Sequence, residues 1–563
     1  MTSRRSGIWP LLALFTLVGL VVSACTQQGG GPTTGGGADA DPNGELITNM
    51  GSEPDTIDPQ VESFVSEIGV TMKVFEALMT PDIKSGKAVP AAAKDQPKIS
   101  SDGKTYTYTL RDGLKYSDGQ PVTSKNFKYG WQRLCDPATA GDYAFTGYIV
   151  VGCEAWNTMD PKKDDPAKLA AAKTTFLNSI ETPDDKTITF HLTDAAPYFN
   201  SIASTWVGLP TREDMVTKGG DKWTEPATFI GNGPFALSEW KHNEKMTFTR
   251  NSNFKTADGK TPKVAKITQV MINEGAVAFA AYRNNELDVY GVAAEDLRSI
   301  QSDADLSKQV VDGPQGCSFY IGFNVKKAPF DDKNVRVAFS KSFDRDAYIN
   351  DDQKIGKPST SFISEGLPGF DGSDTFQKFD VTAAKAALGQ ASSAAQAALS
   401  SIKITYSAST RATTRLQWFQ DQWKKNLNVN ITLDPVDSTT YTALVKKPET
   451  TPQAFYLGWC PDYYDQQDWL STVFKSNSSV THVGWKNDQF DKLVTDADKE
   501  PDTKKRDDLY KQASQILSQD APVAFIYYGT TKILLKPWVK NFYITALGFE
   551  EANFTDVYVT KKS

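Results

Sequence analysis

Apolar residues recur along this chain in short blocks whose period switches between two and about 3.6, and turn signals close each block. Phe455, Leu457 and Trp459 alternate with less apolar neighbours as in a half-buried strand. Pro461, which has no N–H to give to a ladder, ends that strand and leaves Asp462 at its rim. Tyr106 to Leu110 and Thr187 to Leu192 alternate in the same way, and the pairs Asp102 and Gly103, Asp112 and Gly113, and Asp118 and Gly119 predict tight turns around them. Gly231 to Asn253 reads as a strand pair. Helical spacing places Val70, Val74 and Leu78 on one face within Ser63 to Leu78, and Val335, Phe339 and Phe343 on one stripe from about Asn334. Asp380 to Ile402 reads as an alanine-rich helix pair, and Ile404 to Leu433 as strand, helix, strand. A last helix over Asp507 to Leu517 precedes a buried strand over Pro522 to Tyr528. Strands interleaved with helices make an α/β protein.

The chain has 563 residues, more than one core serves, so at least two lobes are expected, with 39% apolar residues to fill them and 11% aromatics to line a core or cleft. Its first segment has the pattern of an export signal: Arg4 and Arg5, an apolar run from Ile8 to Val22 too short and wrongly flanked for a permanent span, then small residues before Cys25. Val22 to Cys25 resembles a lipobox, which implies a lipid-anchored Cys25, and Gln27 to Gly37 has the composition of a flexible tether. Net charge is −7, and removing a leader with two arginines and no acid makes it more negative, which argues against nucleic acid as a partner. Beyond Cys25 four of the five cysteines remain, Cys135, Cys153, Cys317 and Cys460; an oxidised compartment permits two bridges among them in three connectivities.

Catalytic signals are missing. The three histidines, His191, His242 and His482, stand in unrelated blocks with no metal spacing. Gly103 to Thr105 and Gly259 to Thr261 read as hairpin turns rather than phosphate loops, and no G-x-S-x-G elbow occurs. Neither catalysis, a metal nor a cofactor is expected. Asp462, Asp465 and Asp468 do not have the spacing of a calcium loop. Asp462 has two readings. It is a solvated turn residue, or an acceptor for a cation beside the main chain of Gly458, Trp459 and Cys460, where an extended peptide adds to a sheet edge and sets its α-ammonium on the acid.

The stretch WCPDYYDQ with the following FKSNSS resembles the corresponding part of oligopeptide-binding proteins of ABC importers, in the peptide/nickel/opine family of extracellular solute receptors. ELITNMGSEPDTIDPQ, GNGPFALSEW and FDDKNVRVAFSKSFDRD resemble further blocks of that family. The resemblance implies a two-lobed periplasmic-binding-protein-like fold with an extra α+β subdomain. Lobe I would comprise 45–82, 213–316 and 532–563, the subdomain 83–212 and lobe II 317–531, after a signal peptide at 1–24 and a tether at 25–44. The lobes would hinge near Cys317 and Thr531. The resemblance also implies that Asp462 binds the ligand's α-amino group and that Gly458, Trp459 and Cys460 face its main chain. Ser63, Phe64 and Val65 would lie against the ligand backbone, and Tyr143 would present an aromatic to it. It pairs Cys317 with Cys460, leaving Cys135 with Cys153. Where some relatives hold a ligand carboxylate by arginine and histidine, this chain has Tyr456 and Ala412. Arg411 and Arg415 are nearby, on what reads as a solvated helix face, so capture of the C-terminus does not carry over. The partners implied are an oligopeptide, ABC permease subunits and a membrane reached through the lipid anchor, for a monomer at the outer face of the cytoplasmic membrane. The rivals are another solute in the same fold (an oligosaccharide, haem or a nickel complex), a peptide-sensing receptor, and a secreted hydrolase.

Overall fold

Three larger sheets organise the chain in a computed structural model that describes residues 40–82, 84–445, 449–478, 480, 483–547 and 555–561. The leader, Cys25, the tether up to residue 39 and His482 lie outside them. Phe235–Lys241, Lys245–Arg250 and Lys266–Val270 run antiparallel, and Glu45–Asn49 joins parallel to the last of them. Lys98–Ile99, Thr105–Thr109, Thr187–His191 and Ile180–Glu181 form a second, antiparallel sheet, with Gly103, Gly113 and Gly119 at positive φ in the expected turns. Leu46, Phe248, Tyr108, Phe190 and Trp131 of these parts share one core.

The third sheet has seven strands. Val289–Gly291, Val523–Leu535, Val310–Phe323 and Ala454–Trp459 are antiparallel neighbours, and Lys403–Ser407 and Thr432–Val436 continue it in parallel. Helices cover both faces. Ile321, Ala524 and Ile526 pack with Phe339 of Lys333–Lys341 and with Leu416, Phe419 and Trp423 of Thr410–Leu427. Tyr320, Val523 and Phe525 pack on the other side with Trp469, Val494 and Tyr510 of Gln466–Phe474, Asp488–Lys499 and Thr503–Asp520. Alternate residues of one strand thus serve two cores.

Two expectations need adjusting. The helix holding Val70 and Val74 is Val65–Val74 and stops before Leu78, because the side chain of Asn232 accepts from the Glu76 N–H (3.0 Å) and donates to the Glu76 carbonyl (3.1 Å), taking the backbone groups a further turn would need. The last strand extends to Leu535, well past Tyr528. The positions 316/317 and 531/532, expected as lobe boundaries, fall inside the two long strands Val310–Phe323 and Val523–Leu535, which pair with each other; their ladder is interrupted between Pro314 and Ser318. The cysteines are bridged Cys135 to Cys153 and Cys317 to Cys460. No described helix is long and apolar enough to cross a membrane.

Candidate ligand-binding site

Ala454–Trp459 is paired along its length with Val310–Phe323, Phe319 opposite Gly458 and Ser318 opposite Trp459, and the cystine Cys317–Cys460 clamps the next position. On its other side Lys403–Ser407 pairs only at Ala454 and Phe455. Beyond Phe455 that edge has no ladder partner among the described strands; the Tyr441 hydroxyl donates to the Tyr456 carbonyl, and the main chain from Leu457 on is open to an added strand. Gly458 is required there: a Cβ would stand 2.8 Å from the ring of Phe319. That ring stacks on Tyr527 (4.5 Å between centroids) and, less closely, on Tyr456 (6.2 Å).

Past Pro461 the chain does not enter solvent. Asp462 is only 9% exposed and Asp468 is fully buried, which removes the solvated-turn reading. The Tyr143 hydroxyl donates to Asp462 Oδ1 at 3.3 Å, from a ring set edge-on against Trp206 (5.1 Å) and beside Phe145 (5.2 Å). Burial holds the Tyr143 phenol far above its ordinary pKa, so it remains a donor. The Asp462 N–H donates to Asp468 Oδ2 at 3.0 Å. Burial pushes the Asp462 carboxyl up to about 7, against hydrogen bonds from Tyr143 and Asp468 that pull it down, and pushes Asp468 up as well. Asp462 Oδ2, Asp468 Oδ1 and the indole N–H of Trp459 are buried without a hydrogen-bond partner among the described residues. Neither carboxyl has a cation within ion-pair reach among them.

The third acid behaves differently. Asp465 caps Gln466–Phe474 by accepting from the Gln467 N–H (2.9 Å) and takes both arms of Arg506 (2.8 and 2.6 Å), so it is fully occupied in the scaffold. Ser63 and Phe64 line a cavity of about 500 Å³ with Asp55, Glu67, Asp142 and Ser438. Glu67 receives the N–H groups of both (2.9 and 3.0 Å) and thereby presents Phe64 at 54% exposure, with Val65 also exposed. The structure therefore joins Asp462, Tyr143 and the strand Gly458 to Cys460 directly, and sets Ser63 and Phe64 at a cavity that also holds Tyr143's neighbour.

Two features were not foreseen. The first is the placing of Asp468, weighed above only as one of three acids, against Asp462: the two lie six residues apart across a turn into a helix, a separation that no periodic pattern marks. Arg415 is the second, and it corrects the expectation of a solvated helix face. Its guanidinium lies 4.5 Å over the ring of Tyr456, donates to Gln353 (3.3 Å), and leaves Nε without a partner among the described residues. Arg411 is held by Asp352 at 2.8 Å.

Similarity to known proteins agrees with this architecture. The chain is 30% identical over 536 residues to the oligopeptide-binding protein OppA of Bacillus subtilis, covering 93% of this chain and 94% of that protein. It is also 30% identical over 504 residues to a probable deoxycholate-binding periplasmic protein, YgiS, of Escherichia coli (88% of this chain, 90% of that protein). Among solved structures, the murein tripeptide binding protein MppA of Escherichia coli superposes with a TM-score of 0.77 at 27% identity, over 93% of this chain and 100% of that one; the fold is the two-lobed α/β fold of periplasmic binding proteins. The model of bacterial extracellular solute-binding proteins, family 5 middle, matches residues 87–480, and the chain belongs to that family.

Proposed function

We propose that this protein is an extracellular receptor that binds a short peptide between its lobes and hands it to the permease of an ABC importer, with no chemical step of its own. The observation that carries this reading is Asp462: a buried carboxyl at the end of a half-open strand, with a neutral donor from Tyr143 and no cation beside it among the described residues. Such a group is satisfied by an ammonium brought by a ligand. Peptide main chain would pair with Gly458 to Cys460, which gives affinity without side-chain selectivity. Arg415 supports the peptide over other solutes. It is a half-buried cation with no carboxylate beside it among the described residues, over Tyr456, four strand residues or about 13 Å before Cys460. A zwitterion with separated ends suits both charges. An anionic steroid would set its own charge against Asp462, and a neutral sugar would use neither.

In this reading residues 45–82, 213–316 and 532–563 form lobe I, 83–212 the extra subdomain and 317–531 lobe II, and the lobes turn about the paired strands near Cys317 and Thr531. Diacylated Cys25 would hold a monomer at the outer face of the cytoplasmic membrane; Cys25→Ser should then release it from membranes. Calorimetric titration of one peptide in free, N-acetylated and C-amidated forms tests the site. The free form should bind far better than the acetylated one, and equal affinity would remove Asp462 from ligand binding.

A further inference from the structure

Asp468 has no place in the binding scheme above, yet its carboxyl is the most buried charge-bearing group beside Asp462. The Asp468 carboxyl is held against Asp462 by the Asp462 N–H (3.0 Å) and both carboxyls are buried, so the two acids sit side by side, and two acids so placed can share a hydrogen bond only through a proton. Each also has one oxygen with no partner among the described residues. Among the described residues the titratable groups that act on the pair are neutral or acidic: Tyr143, which donates to Asp462, Tyr463 from the turn, and Asp465, whose charge is already matched by Arg506. Two negative charges in contact without a cation are prohibitively costly in a buried site, so one must be neutral.

We propose that Asp468 is a positioning residue that shares one proton with Asp462 in the empty receptor, and that a ligand ammonium replaces this proton, so that binding releases it to solvent. The inference rests on the reading of Asp462 as the ammonium site. The charges balance. The empty pair carries one negative charge and the ligand end one positive; the bound pair carries two negative charges against the ammonium, and one proton has left. The ionised form is prepared for by the Asp462 N–H on Asp468 and the Tyr143 hydroxyl on Asp462. Affinity therefore rises about tenfold per pH unit below the titration of the pair and levels off above it.

Two measurements on the full chain test this. Infrared spectroscopy of the ligand-free protein at pH 6 should show a protonated-carboxyl band that shrinks in Asp468→Asn and in Asp468→Ser, both checked for folding by thermal melting. Calorimetry with Ala-Ala-Ala and its N-acetyl form, in phosphate and in Tris, should show release of about one proton by wild type with the free peptide. Asp468→Asn should release none and lose the pH slope. Absence of the band, or binding of the free over the acetylated peptide without proton release, overturns the shared proton and leaves the ammonium site standing. Equal binding of the two peptides, or binding of neither, overturns the ammonium site itself.

Discussion

Buried acids occur in two different settings in this protein. Asp58, in the first core, takes both arms of Arg133 (2.8 and 2.6 Å), the indole N–H of Trp223 (2.8 Å) and the Gln60 N–H (3.1 Å). Its charge is matched and its oxygens are filled, and Asp465 with Arg506 repeats the arrangement. Asp462 has a phenol, a second acid and an oxygen with nothing to accept. Asp58 and Asp465 are thus matched by cations of the chain, whereas Asp462 has none among the described residues; in the proposed function a ligand ammonium would supply it, and the local cost of folding would become affinity.

Four substitutions or conditions break or sharpen that contrast. Asp462→Asn should weaken binding of a free peptide by about 3–5 kcal/mol, two to four decades in Kd by calorimetry, without lowering the melting temperature of the empty protein. Arg133→Ala should do the reverse, costing about 3 kcal/mol in denaturant unfolding because Asp58 is left buried and unmatched, while peptide affinity of the folded fraction is retained. The third concerns pH. The Asp462 carboxyl sits above its value in the unfolded chain, so the folded protein holds a proton that the unfolded chain gives up. The stability it confers is fully present below the ordinary carboxylate range and is lost as pH rises through about 7. Melting of the ligand-free protein should therefore fall from pH 5 to 8, by up to about 1.4 kcal/mol per pH unit for one proton, and saturating peptide should flatten the slope. The smallest effect is expected for Tyr143→Phe, which removes one hydrogen bond of 3.3 Å to Asp462 and should weaken binding by about 0.5–1.5 kcal/mol, with unfolding little changed.

Much of the fold is legible in the sequence because its elements bury one regular face. Leu416, Phe419 and Trp423 mark Thr410–Leu427, and the Asp-Gly pairs mark turns whose glycines do adopt positive φ. The errors arise where the local pattern and tertiary partners disagree. Leu78 continues a helical stripe that Asn232 has already ended, and Gly529 breaks the apolar run after Tyr528 although Thr530 to Lys532 carry the strand on by pairing with Val310–Phe323. Thr503–Asp520 begins before its first apolar residue because Asp502 caps it, accepting from the Lys505 N–H at 2.9 Å. In the site, Asp462 and its strand could be read from Trp459, Pro461 and the family resemblance. Asp468 could not: its role depends on a turn folding it back, and Arg415 is buried only because Thr410–Leu427 lies over Tyr456.

The interrupted ladder between Pro314 and Ser318 gives the two long strands the mechanics of a ribbon with a soft segment in torsion. Cys317 lies at the edge of that segment and is covalently joined to Cys460, two residues from Asp462. With the hinge proposed above, a twist of the ribbon about that point would sweep distant parts through a large arc but move Asp462 very little, so the residue proposed to meet the ligand's charge would stay close to the axis of rotation, as the fixed jaw of a vice does.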